Sequence, residues 1–236
     1  MKLSECRYFL IVHCLFLKSE TALEKIILFG GTFDPVHNGH IAVSLAAAEK
    51  IGASKVILIP ARRSPHKHQK PLAMDNDRIA MLKLAVAEDK IFEVSPIELN
   101  RGEPSYTIDT VRQLKQKFGK ACEFYWLIGI DMLRDLPRWH MSEELLGECN
   151  FCIMDRGGFE KPDFSFLTGK LSPEAIDKLR KNQIQTPLIN ISSTEIRRKF
   201  QAGSDVSDMV NPEVLNYIKN HKLYSAEYLE SREESL

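Results

Sequence analysis

KIILF (25–29) runs without a break into GGTFDPVHNGH (30–40). The first part reads as a buried strand, while the second packs three glycines, a proline, an aspartate and two histidines into a stretch unsuited to a core or a regular helix. Such a stretch has a natural place in a parallel open sheet, where ligands bind at the carboxyl ends of strands, in the crevice at which the topology reverses. Gly30 and Gly31 let backbone approach a ligand without a Cβ, and Asp34-Pro35 makes a tight turn. A helix beginning near Asn38 or Gly39 would turn unpaired N–H groups and a positive dipole end toward an anion such as phosphate. His37 and His40, three residues apart on that first turn, can reach the same anion. The stretch matches neither the P-loop nor the dinucleotide fingerprint. Two plainer readings stand beside this one: a glycine-rich turn with surface histidines, and a zinc site, for which no third ligand lies at an obvious spacing.

Outward from this stretch, short apolar runs alternate with segments of helical period, the pattern of an α/β fold with a doubly wound parallel sheet. The strands are expected at 25–30, 55–60, 90–95, 123–129, 151–155 and 187–192. Helices are expected at 38–51, ending before Gly52 as a C′ residue; at 75–88, capped by Asp75 or Asn76; and at 107–118, 193–202 and 212–220, the last opening on Pro212. Residues 157–186 mix turn residues with one short amphipathic helix and are expected to form a lid or surface elaboration. The charged end, 225–236, reads as a disordered or solvated tail.

At 236 residues the chain fits one large domain, and 32 basic against 32 acidic residues give no net field to gather nucleic acid. Any anion site must therefore be local. Among five cysteines only Cys149 and Cys152 share a C-x-x-C spacing; without a second pair they read as buried free thiols, which points to a reducing, cytoplasmic compartment. Residues 1–23 hold the apolar run YFLIVHCLFL (8–17), too short to span a bilayer, interrupted by His13 and followed by no A-x-A site. An extension, native or lying upstream of the true start, is expected there rather than a cleaved signal, with no membrane partner.

GTFDPVHNGH resembles the H-x-G-H signature of the nucleotidyltransferase superfamily, which transfers adenylyl or cytidylyl groups, with His37-Asn38-Gly39-His40 as the signature itself. ISSTEIRRKF (191–200) is similar to that family's I-S-S-T-x-I-R segment. Alone, Ser192, Ser193 and Thr194 are cap-type residues opening an ordinary helix with Arg197 one turn in; beside the first motif they read as a second phosphate site facing it. SPHK (64–67), SYTIDTV (105–111), LIGIDMLRDLPRWH (127–140) and NPEVLNYIKNHKLY (211–224) resemble bacterial nicotinate-nucleotide adenylyltransferases in particular.

The resemblance implies a Rossmann-like sheet of nucleotidyltransferase type over residues 24–224, with a small C-terminal helical part. It further implies transfer of the adenylyl group of ATP to nicotinate mononucleotide, with Mg2+ carried on the ATP phosphates and no protein metal site. ATP would meet Gly30, Gly31, Thr32, Phe33, His37 and His40 from the first loop, Gly129 and Asp131 after the fourth strand, and Ser192, Ser193, Thr194 and Arg197 from the late helix. His40, His37, Lys67 and Arg197 would supply the catalytic charge. Thr107, Trp139, the backbone N–H of His140 and Lys67 would receive the pyridine nucleotide, Thr107 doubling as a helix-cap residue with Ser105. The alternatives are an acceptor other than nicotinate mononucleotide, nicotinamide mononucleotide above all, and a non-catalytic nucleotide-binding module. A homo-oligomer is left open.

Overall fold

A computed structural model of the chain describes residues 23–62, 71–156, 163–186 and 189–233. Six strands, β1 (Glu24–Gly31), β2 (Lys55–Pro60), β3 (Phe92–Val94), β4 (Cys122–Gly129), β5 (Asn150–Arg156) and β6 (Gln183–Thr186), form one parallel sheet in the order β3-β2-β1-β4-β5-β6. Period-two alternation splits the core into two layers. Ile26 and Leu28 of β1, Ile57 and Ile59 of β2, Phe124, Trp126 and Ile128 of β4, and Phe151 and Ile153 of β5 bury one face. Against that face pack α3 (Thr107–Phe118), α4 (Ser142–Glu148) and α5 (Pro173–Lys181), through Ile108 and Val111, Leu145 and Leu146, and Ile176 and Leu179. The intervening residues Ile27, Phe29, Val56, Leu58, Leu127 and Cys152 bury the other face. There they meet α1 (Asn38–Ile51), α2 (Asp75–Ala85), α6 (Ser193–Gln201) and α7 (Pro212–Asn220). Helices after β1 and β2 thus lie on one side and those after β3, β4 and β5 on the other, so the winding reverses between β1 and β4.

A crevice opens at that reversal for a reason visible in the pairing. β1 stays registered with β2 as far as Gly31 against Pro60, and β4 with β5 as far as Gly129 against Met154. Between β1 and β4 the pairing ends earlier, at Leu28 against Trp126. The two central strands part over their last residues, and the loops that follow them border the gap.

Four expectations are corrected. The sixth strand is Gln183–Thr186, with 189–192 outside any strand and 187–188 outside the described residues. Accordingly the segment 157–186 is not a lid or surface elaboration where it is described: Phe164, Leu167, Leu171, Ala175 and Leu179 are core residues, and β6 is a hydrogen-bonded edge strand. α2 is capped by neither Asp75 nor Asn76; its N-cap is Met74, and the Asp75 carboxylate is drawn instead to Arg78 at 2.6 Å. In place of a solvated tail, Ala226–Glu233 form a short helix, α8, whose Tyr228 hydroxyl reaches the carbonyl of Leu72 at 3.3 Å. The extension at 1–22, residues 157–162 and the end at 234–236 lie outside the described residues.

Other expectations stand. Gly52 ends α1 in the left-handed region (φ 70°), and Pro212 opens α7. Cys149 and Cys152 are buried free thiols, and burial pushes both up to about 12, so they stay protonated and unreactive. Among the described residues no helix is long and apolar enough to cross a membrane.

Candidate functional site

The loop after β1 is built around a histidine cap. His37 is the N-cap of α1, with extended backbone (φ −144°, ψ 166°). Its Nδ1 accepts the His40 backbone N–H at 3.3 Å, and the Nδ1 of His40 accepts the His37 N–H at 3.3 Å. Reciprocal caps of this kind are ordinarily made by a hydroxyl and a carboxylate or amide. Made by two imidazoles, they bring the rings face to face, with centroids 3.6 Å apart at 24°. Because both Nδ1 atoms act as acceptors, a neutral ring carries its proton on Nε2, the edge opposite the cap, where it can be donated to an anion. Gly39 permits the stack: a Cβ there would sit 3.0 Å from the His37 ring. Phe33, buried and in the left-handed region (φ 49°), braces His40 edge-on at 5.0 Å.

The glycines of β1 answer first to packing. A Cβ on Gly30 would lie 2.7 Å from the Trp126 indole, and one on Gly31 would lie 3.0 Å from the Phe33 ring. Glycine is therefore required at Gly30 before any ligand arrives.

The second segment docks directly onto this loop. Ser192 is the N-cap of α6, its hydroxyl accepting the Glu195 N–H at 3.1 Å. Ser193 Oγ donates to the carbonyl of Pro35 at 2.9 Å. Arg197 donates from Nη1 to the carbonyl of Asp34 at 2.6 Å and from Nη2 to Thr194 Oγ1 at 3.3 Å. The N-termini of α1 and α6 thus meet across Asp34-Pro35, two dipole ends with two histidines and an arginine beside them.

After β3 and β4 the other edge of the crevice takes shape. Thr107 opens α3, but neither it nor Ser105 is the cap: the N-cap is Tyr106, and no side chain caps the first turn among the described residues. Ser105 instead accepts from Arg101 at 2.5 Å. The Tyr106 ring stacks on His140, with centroids 4.1 Å apart at 26°, joining the start of α3 to the loop after β4. Trp139 is half-buried and meets Phe151 edge-to-face at 6.0 Å. Asp131 is exposed in the turn after Gly129, and a Cβ on Gly129 would collide with its carboxylate. Lys67 lies outside the described residues, and no group of three or more His, Cys, Asp or Glu side chains among the described residues converges as a metal cage.

A family model described as "Cytidylyltransferase-like" matches residues 28–199. The chain is 37% identical over 202 residues to a Synechococcus protein described as "Probable nicotinate-nucleotide adenylyltransferase", covering 85% of this chain and 96% of that one. A protein of Pectobacterium atrosepticum with the same description is 39% identical over 206 residues, covering 83% and 96%. The chain belongs to the nicotinate-nucleotide adenylyltransferase family. Its fold is shared with the Plasmodium falciparum nicotinic acid mononucleotide adenylyltransferase complexed with NaAD, at a TM-score of 0.62 and 21% identity over 85% of this chain and 97% of that one.

Three groups in this family member carry no local sequence signal. Asp34, read from the sequence only as part of a turn, is a hub. One carboxylate oxygen accepts the Leu72 N–H at 2.8 Å; the other accepts the Ala73 N–H at 3.1 Å and the Tyr224 hydroxyl at 2.8 Å. Burial, with Asp34 beside it, drives the Tyr224 phenol well above its ordinary range and keeps it a donor. Arg78, fully buried, donates from Nη1 to the carbonyls of Thr32 and Ala61, both at 2.8 Å, and so ties the loops after β1 and β2 together. Glu98 is also buried, and desolvation raises its carboxyl to about 7 against the opposing pull of the Thr110 hydroxyl and the Arg101 charge.

Proposed function

We propose that the chain, with residues 24–224 as its catalytic domain, transfers the adenylyl group of ATP to nicotinate mononucleotide, giving nicotinate adenine dinucleotide and pyrophosphate in NAD biosynthesis. One observation carries the reading: the stacked His37–His40 cap faces the Arg197 helix across Asp34-Pro35 at the sheet's reversal point, in a chain aligned over most of its length with nicotinate-nucleotide adenylyltransferases.

An oxygen of the acceptor's 5′-phosphate attacks the α-phosphorus of ATP; the bond to the bridging oxygen breaks, and pyrophosphate leaves with its electron pair. A phosphate monoester is already anionic at neutral pH, so no side-chain nucleophile is needed and catalysis rests on alignment and on stabilising charge. The Nε2–H groups of His37 and His40 and the N-terminus of α1 would receive the ATP phosphates from one side. Arg197, Thr194 and the N-terminus of α6 would do so from the other, with Lys67 as a further cation. Arg197 is suited to this because its guanidinium has five N–H donors, and its bonds to Asp34 and Thr194 orient it without using all of them. Thr32 and Phe33 would line the ATP path, and Asp131 would accept from ribose hydroxyls. ATP arrives as its Mg2+ complex, the metal being part of the substrate.

For the acceptor, the first turn of α3 offers N–H donors that no side chain caps among the described residues, which suits a carboxylate better than an amide. Thr107 and the His140 backbone N–H would hold that carboxylate, and Trp139 would lie against the pyridine ring. The buried, protonated thiols accord with a cytoplasmic setting. Pyrophosphate release measured with ATP and, in turn, nicotinate mononucleotide, nicotinamide mononucleotide and phosphopantetheine tests the reading. The nicotinate nucleotide should give the highest kcat/KM. Preference for another acceptor overturns the substrate assignment, and no release with any acceptor overturns the enzyme.

A further inference from the structure

We infer that Arg101, held in place by Thr110 and Glu98, is a positioning residue that sets the acceptor side of the crevice by locking Tyr106 onto the first turn of α3. This rests on the reading that the pyridine nucleotide binds at that turn.

The geometry is specific. Arg101 Nη2 donates to Ser105 Oγ at 2.5 Å and Thr110 Oγ1 at 2.7 Å, and approaches the Tyr106 carbonyl at 3.4 Å. Thr110, whose oxygen accepts from Arg101, donates its hydroxyl hydrogen bond to Glu98 Oε1 at 3.0 Å. Ser105, Thr110 and Glu98 are 6%, 0% and 7% exposed, so the relay is shielded from water, where charge-assisted hydrogen bonds are strongest. It fastens the residues before α3 to a residue inside the helix, with Tyr106 and Thr107 between.

The backbone of the same segment is fixed from a second side. Arg62 Nη1 donates to the carbonyls of Leu99 at 2.9 Å and Arg101 at 3.0 Å. Arg78 binds the neighbouring Ala61 carbonyl and that of Thr32. A continuous stitch of arginine and carbonyl therefore runs from the loop after β1, through the end of β2, to the start of α3. It fixes the acceptor side relative to the ATP side.

Arg101 is a costly way to hold a loop for stability alone. Its Nε and Nη1 are buried and take no hydrogen bond among the described residues. An apolar side chain would fill the space without that penalty. What it could not do is fix Ser105, Tyr106 and Thr110 through one nitrogen, and so aim the N–H groups of the turn and the Tyr106–His140 stack at one place.

The test uses the full chain with Arg101→Ala, Arg101→Lys and Thr110→Val, the last nearly isosteric and chosen to keep the fold while breaking the relay. Steady-state kinetics are measured against each substrate in turn. Arg101→Ala and Thr110→Val should raise KM for nicotinate mononucleotide by roughly tenfold while KM for ATP moves by less than about twofold, and Arg101→Lys should recover part of the loss. A lower kcat with both KM values unchanged would mean only fewer folded molecules, and a parallel rise in both would mean general loosening; either result in the folded variants overturns the inference. Wild-type protein inactive with nicotinate mononucleotide overturns the functional reading and this inference together, whereas active wild type with unaltered variants overturns this inference alone.

Discussion

Replacing Glu98 by glutamine should remove a specific slope from the protein's stability against pH. In the native protein burial holds the Glu98 carboxyl at about 7, against 4.5 for an ordinary glutamate. As pH rises from about 5, the unfolded chain releases this proton while the native chain keeps it, so the native state loses stability relative to the unfolded one until Glu98 itself ionises. Integrated between about pH 5 and about pH 8, that proton is worth about 2 to 3 kcal/mol, or about 5 to 10 °C in Tm for a domain of this size. Glu98→Gln retains a hydrogen-bond partner for Thr110 and has no proton to lose. Thermal or urea unfolding of wild type and variant should therefore show the wild type falling away from the variant through this window and running parallel to it above. Every other titrating group is common to both proteins and cancels in the difference. Curves parallel throughout would refute the assignment. A wild type that gains on the variant with rising pH would show that the Arg101 charge outweighs burial.

His40→Ala should lower kcat by about a hundredfold or more with a much smaller change in KM for ATP, because in the proposed mechanism its Nε2–H would act on charge that develops in the transition state; unchanged turnover in a pyrophosphate-release assay removes it from the mechanism. Trp139→Ala should raise KM for the pyridine nucleotide more than KM for ATP, and equal effects would assign Trp139 wholly to its contact with Phe151. Gly30→Ala forces a methyl to 2.7 Å from the Trp126 indole and should cost about 1 to 3 kcal/mol in urea unfolding, with no loss at all refuting the packing account.

How much of this was legible depended on whether the signal was local. The strand KIILF, the helix end at Gly52 and the i, i+3 histidine pair are short-range patterns, legible where they occur. QIQT (183–186) has one large apolar residue and sits at the sheet edge, so its strand signal is weaker than that of PLINIS, which is more β-like in composition. Asp75 looks like a cap because Asp commonly is one; its carboxylate is claimed by Arg78, which is fully buried. The hydrogen-bond donors to the Asp34 carboxylate lie 38, 39 and 190 residues away, and no window of sequence spans them. Of the candidate site, the residue types were visible; the carbonyls and carboxylates that orient them were not.

The hydroxyl of Tyr224 on the carboxylate of Asp34 has a consequence for biosynthesis. The loop after β1 is among the first parts of the domain to leave the ribosome, yet one of its principal fastenings is made by a residue 190 positions later. Chains emerge at about 5 to 20 residues per second, so a nascent molecule carries an unfinished nucleotide loop for about ten seconds or more before its last fastening can exist. For the same reason, shortening the chain before Tyr224 should cost ATP affinity even though no residue of the signature has been touched.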